Sequence, residues 1–108
     1  MGQGEGIQSS RGKHILIMNK QEFLAHAGLQ GQTLELWLEQ RWLVPEQTPT
    51  GMHFSDTDVA RAHLIRDLKT DFGVNDEGVD VVLHLVDQLH GLRKALRRLQ
   101  GDLQETRR

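Results

Sequence analysis

The chain has 108 residues, 13 Lys/Arg against 15 Asp/Glu, and a formal net charge of −2. A chain of this length holds one domain plus an extension. With no cysteine, disulfides, thiolate metal sites and thiol redox chemistry are excluded. No apolar run approaches the ~18 residues of a membrane span and no secretory core is present, so a cytoplasmic protein is expected.

Residues 1–12 are mostly Gly, Ser and Gln and read as a disordered leader or remnant, with the leader ending at residue 13. His14 to Met18 is an apolar run of strand length. Asn19 with Glu22 three residues on forms a capping pair for a first helix. That helix is expected to bury Phe23, Leu24 and Ala27 and to stop at Gly28, which tolerates the left-handed conformation of a C-cap. After a tight turn at Leu29–Gly31, a second helix is predicted over 32–41. Leu34, Trp37 and Leu38 share its inner face, and Leu36 lies off it. Pro45 ends this element, with Leu43 and Val44 expected in the core. Two short helices around such a turn resemble a helix-turn-helix.

Residues 46–54 carry Pro49-Thr50-Gly51, a hairpin-like turn, which together with the first strand suggests a small sheet or wing. Ser55 and Asp58 cap a third helix, predicted to run to about Phe72 with Ala60, Leu64, Ile65, Leu68 and Phe72 as its apolar stripe. Gly73 ends it. Asn75 caps the last helix, whose opening acids Asp76 and Glu77 suit a positive helix start.

The last helix carries the strongest pattern in the chain. Val82, Leu85, Leu89, Leu92, Leu96, Leu99 and Leu103 fall at alternating gaps of three and four, an a/d seam. Around Val81–Val86, Leu83 and Val86 widen the stripe, as in a helix packed on its own domain. Further on, Arg93, Lys94, Arg97 and Arg98 leave only the seam apolar. A seam this narrow needs a second helix, most simply that of another copy, so a homodimer is expected. Leu at both a and d fixes neither oligomer number nor direction. The resulting division is a leader over 1–13, a winged helix-turn-helix-like domain over 14–74 and a coiled-coil dimerisation helix over 75–108.

No constellation for catalysis is present: there is no Ser-His-Asp signature, phosphate loop or nucleophile elbow. Six histidines are scattered, and His84 and His90, six apart, fall on different helix faces. No cofactor or metal is expected, and no enzyme. The scaffold is that of a DNA binder, yet its surface is not. Residues 19–80 hold 11 acids against 5 Lys/Arg, a net of −6, whereas residues 81–108 carry a net of +3. The second helix offers Glu35, Leu36 and Glu39 outward and only Arg41 at its end. The turn of the wing has no Lys or Arg, whereas phosphate and base contacts call for cations and amides.

Several short segments together resemble the MerR superfamily, and within it the chaperone-modulator (CbpM) branch. They are Glu22-Phe23, Gly28-Leu29, Leu43-Val44-Pro45, Phe54-Ser55-Asp56, Phe72-Gly73-Val74-Asn75, Gly78-Val79 and Leu83-His84-Leu85-Val86-Asp87. The likeness covers about residues 14–103. The Gly73-Val74-Asn75 segment with Gly78 is also similar to HspR-type heat-shock repressors. DNA-binding members carry an Arg-Tyr-Tyr-like stretch where this chain has Glu35-Leu36-Trp37, and an Arg after the wing Gly where it has Gly51-Met52-His53. The resemblance implies a mainly α, MerR-like winged helix-turn-helix with a long C-terminal helix that pairs antiparallel in a homodimer. It also implies binding to the J-domain of a CbpA-like co-chaperone, blocking its work with a DnaK-type chaperone. Glu35, Leu36 and Glu39 are the expected partner face, and DNA is not the expected partner. The alternative is a transcription regulator of the MerR or HspR type.

Overall fold

The computed structural model describes residues 16–107. The leader, His14 and Ile15 lie outside them. The element order is β1 (Ile17–Met18), α1 (Lys20–Ala27), α2 (Gly31–Glu39), β2 (Glu46–Thr48), β3 (Gly51–Ser55), α3 (Asp56–Thr70) and α4 (Asp76–Arg107). This is a mainly helical winged helix-turn-helix with a long C-terminal helix. The chain divides into two compact units, Met1–Asp67 and Leu68–Arg108, and α3 runs across the division.

In the first unit, Asn19 and Glu22 form a complete capping box. Asn19 Oδ1 accepts from the Glu22 backbone N–H, and Glu22 Oε1 accepts from the Asn19 N–H, each at 2.9 Å. The helix ends at Gly28, whose φ of 70° is left-handed. A side chain there would also press on Arg66 Nη1 at 3.3 Å. Arg66 donates to the carbonyl of Ala27 at 3.0 Å, a cation placed where the helix end is negative.

The sheet is antiparallel in the order β1-β3-β2. Met18 pairs with Phe54, and Thr48 with Gly51 across the Pro49-Thr50 turn. α1 lies against β3, where the rings of Phe23 and Phe54 stack with centroids 4.2 Å apart. Met18, Phe23, Ala27, Leu34, Trp37, Trp42, Leu43, Phe54, Ala62 and Ile65 make the core of this unit.

Four expectations are corrected here. α2 stops at Glu39, and Arg41 stands outside it with φ of 67°. The bond from the Trp42 N–H to the Trp37 carbonyl at 2.9 Å closes the helix in the pattern usually given to glycine. Val44 is not in the core: Leu43 is buried and Val44 is 65% exposed, as neighbouring residues of an extended segment point opposite ways. The core takes Trp42 instead, tilted against Trp37 at 6.3 Å.

The other two corrections concern α3. It ends at Thr70, and its buried positions are Ala62 and Ile65. Ala60 is exposed and Phe72 is 73% exposed. The inner face is rotated because Arg61 and Arg66 lie along it. Arg61 donates through Nε to the Trp42 carbonyl.

In the second unit, Gly73 takes φ of 63° and the Val74 N–H reaches back to the Leu68 carbonyl at 2.8 Å. Lys69 Nζ meets Asp76 Oδ1 at 2.6 Å, and Asn75 Oδ1 accepts from the Gly78 N–H at 2.8 Å. Gly78 is explained by this turn: a Cβ would stand 2.5 Å from Val74 Cγ1 and 3.1 Å from Asn75 Oδ1. Gly91 and Gly101 have open space around them.

The three glycines therefore separate by substitution. Gly91→Ala and Gly101→Ala are each expected to stabilise the helix by about 1 kcal/mol. Gly78→Ala is expected to lower stability, because the clash outweighs the gain in propensity. Thermal unfolding followed by circular dichroism checks the three signs.

Candidate functional site

Two surfaces carry the candidate residues. The first is the outer side of α2. Gly31 opens the helix and the N-cap residue Gln30 makes no side-chain cap bond, so the helix is held mainly by burial of Leu34 and Trp37. With those two inside, Glu35, Leu36 and Glu39 must turn outward, and all three are exposed. Leu36 is 57% exposed.

On a helix turning about 100° per residue, Glu39 falls between Glu35 and Leu36. The three span a single arc of about 100°. Gln32 lies within the same arc and is exposed. A neutral amide gives no charge signal in the sequence; the signal for Gln32 is its place in the i, i+3, i+4 pattern with Glu35 and Leu36.

The electrostatics of this face are uneven. Lys20 Nζ at the start of α1 stands 3.7 Å from Glu35 Oε2, with both side chains well exposed. Water screens such a pair, yet the cation offsets part of the Glu35 charge. Among the described residues no ion pair engages Glu39. The face is a leucine rimmed by two carboxylates and an amide, one carboxylate partly neutralised. It can anchor an apolar side chain and attract a cationic one.

The hairpin of the wing is polar and uncharged at its tip. Thr48 Oγ1 donates to the Gly51 carbonyl at 2.8 Å. The hydroxyls of Thr48 and Thr50 lie 3.1 Å apart, and His53 Nε2 is 3.2 Å from Thr50 Oγ1. These groups satisfy one another and fix the turn. They place no cation where a wing would meet phosphate.

The second surface is the seam of α4. Leu85, Leu89, Leu92, Leu96, Leu99 and Leu103 are 47–61% exposed, and Val82 is half-buried. A different stripe of the same helix is covered within the chain: Val79 and Leu83 are buried and Val86 is half-buried. The seam and the covered stripe lie side by side on the helix. The seam is the one left open.

Among the described residues no three His, Asp or Glu side chains are grouped to hold a metal ion. None of the described helices is long and apolar enough to cross a membrane. Comparison with curated proteins and with solved structures found no match. Residues 18–101, which take in the wing, both helices of the turn and most of α4, match the family described as MerR HTH family regulatory proteins, and the chain belongs to that family.

Proposed function

We propose that this protein is an inhibitory modulator that binds the J-domain of a CbpA-like co-chaperone in the cytoplasm and keeps it from a DnaK-type chaperone. The observation that carries the reading is the outer face of α2. It is the recognition side of a helix-turn-helix, and it presents Leu36 bordering two exposed carboxylates with no Lys or Arg on the arc. A face so charged repels phosphate and suits a basic helix, which J-domains of this kind present to their chaperone on the family's account. Segments such as Phe72-Gly73-Val74-Asn75 and Leu83-His84-Leu85-Val86-Asp87 add the resemblance to the chaperone-modulator branch.

The working unit in this proposal is a homodimer joined through Val82, Leu85, Leu89, Leu92, Leu96, Leu99 and Leu103. Six leucines at about half exposure are a large apolar stripe for one helix to leave in water. Burying each is worth roughly 1.5–3 kcal/mol, enough to offset the loss of freedom on association.

Membership of a helix-turn-helix regulatory family supports a second reading, a MerR- or HspR-type DNA-binding regulator. Titrating the protein against a J-domain and against its own promoter separates the two. The expected result is saturable J-domain binding with no preference for promoter over scrambled duplex. Sequence-selective promoter binding at physiological ionic strength, without J-domain binding, would overturn the proposal in favour of the second reading.

A further inference from the structure

Beyond Leu89, the face of α4 that is apolar and covered at Val79, Leu83 and Val86 turns basic. Continuing along the same side of the helix come His90, Arg93, Lys94, Arg97 and Arg98, all exposed. On a helix of about 100° per residue the four Lys/Arg fall within an arc of about 140°. They form two rows, Arg93 with Arg97 and Lys94 with Arg98, each repeating about every 6 Å along the axis. Among the described residues none of the four is held in an ion pair.

Pairing of the seams does not neutralise them. Lys94, Arg97 and Arg98 lie at positions f, b and c, away from any partner helix. Only Arg93, at e, flanks the seam. The other flanking positions are Val86 and Gln100 at e, and Val81, Gln88, Ala95 and Asp102 at g. Parallel pairing would set Arg93 against Gln88, and antiparallel pairing against another e residue. Neither direction brings an acid to it. The basic face remains outward in either arrangement.

From this we infer that the C-terminal half of α4 is a sequence-independent docking surface for the phosphate backbone of duplex DNA. This site is separate from α2 and independent of the J-domain reading. Three of the four cations are Arg, whose planar fork matches phosphate oxygens. Apart from the exposed imidazole of His90, the arc holds no apolar or aromatic side chain, so it lacks the buried anchor that a protein interface needs. A single ring does not supply the row of rings on which successive unpaired bases stack. Backbone phosphates require neither.

The affinity should follow counterion release. Four contacts give a slope of log K on log salt of about −3.6, a loss of about 150-fold between about 50 and 200 mM salt. The experiment measures fluorescence anisotropy of a labelled duplex of arbitrary sequence with the full-length chain. The comparison is a variant with Arg93, Lys94, Arg97 and Arg98 all changed to Gln, which keeps helix propensity.

The expected result is salt-sensitive binding by the parent chain that falls at least tenfold in the variant, with helicity and mass unchanged. If the fourfold variant loses helicity, Arg97→Gln with Arg98→Gln alone should still halve the salt slope. The proposal is overturned by absence of duplex binding at about 50 mM salt, or by binding that neither variant weakens. It is also overturned if vesicles of anionic lipid, or an acidic protein, are bound while the duplex is not.

Discussion

Changing Leu92 and Leu96 together to Lys is expected to turn the proposed homodimer into monomers. In the proposed seam both leucines, at d and a of adjoining turns, exchange more than half exposure in the single chain for burial against a partner. The dimer loses four such leucines, each giving up about half of the roughly 1.5–3 kcal/mol of full burial, which removes roughly 3–6 kcal/mol, or about two to four decades in the dissociation constant. Two ammonium groups on each copy add a desolvation cost that no facing acid relieves, because Asp102 is the one acid flanking the seam. The effect on the single chain should be small. The buried residues of α4 are Val79 and Leu83, and Lys is nearly as good a helix former as Leu. Light scattering should report half the parent mass, with thermal unfolding still cooperative. A double variant of unchanged mass would place the contact between copies elsewhere.

The elements whose ends are written in local chemistry could be read directly from sequence. The Asn19/Glu22 capping box, the left-handed Gly28 and Gly73, and the Asn75 cap are all visible as residue types at fixed spacing. Their physics involves only neighbours in the chain. Burial was harder, because it depends on what arrives from a distance. Arg41 looked like the last residue of a helix, but its positive φ turns the chain so that Trp42 and Leu43 enter the core. Val44, one step on in extended backbone, then faces water.

In α3 the apolar positions are sparse, and Ala60, Leu64, Ile65, Leu68 and Phe72 define a plausible stripe, of which Ile65 is buried and Leu64 and Leu68 are half-buried. The face chosen by the fold is the one on which Arg61 and Arg66 find the carbonyls of Trp42 and Ala27. Those acceptors lie 19 and 39 residues away in sequence, and no periodicity announces them. The outer face of α2 was legible as a set of residue types, since burying Leu34 and Trp37 leaves Glu35, Leu36 and Glu39 no other side. The Lys20–Glu35 pair was not, because it joins two helices whose packing only the folded chain defines.

That pair sharpens the expectation for the acidic face. Glu35 and Glu39 are one helical turn apart, and reversing both to Lys changes the local charge by four units. A basic helix that was attracted would then be repelled. The association rate with a J-domain should fall by at least about tenfold at low salt and converge on the parent's as salt rises. The two sites should not contribute equally. Lys20 already offsets Glu35 at 3.7 Å, so Glu39→Ala alone should slow association more than Glu35→Ala.

Removing the offset should act the other way. Lys20→Ala leaves Glu35 uncompensated and should raise the association rate at low salt. Leu36→Ala should behave differently from all of these. Deleting a side chain that is 57% exposed hardly alters the free protein, but it takes the apolar anchor from the complex. The dissociation rate should rise about tenfold or more, with little dependence on salt. Stopped-flow and surface-binding measurements across a salt series resolve both rates. A folded, dimeric Glu35→Lys/Glu39→Lys protein that associates as fast as the parent at low salt would move the binding face off α2. The first turn of α3, with Asp56 and Asp58, and Asp67 further along the same helix would then be the acids to reverse next.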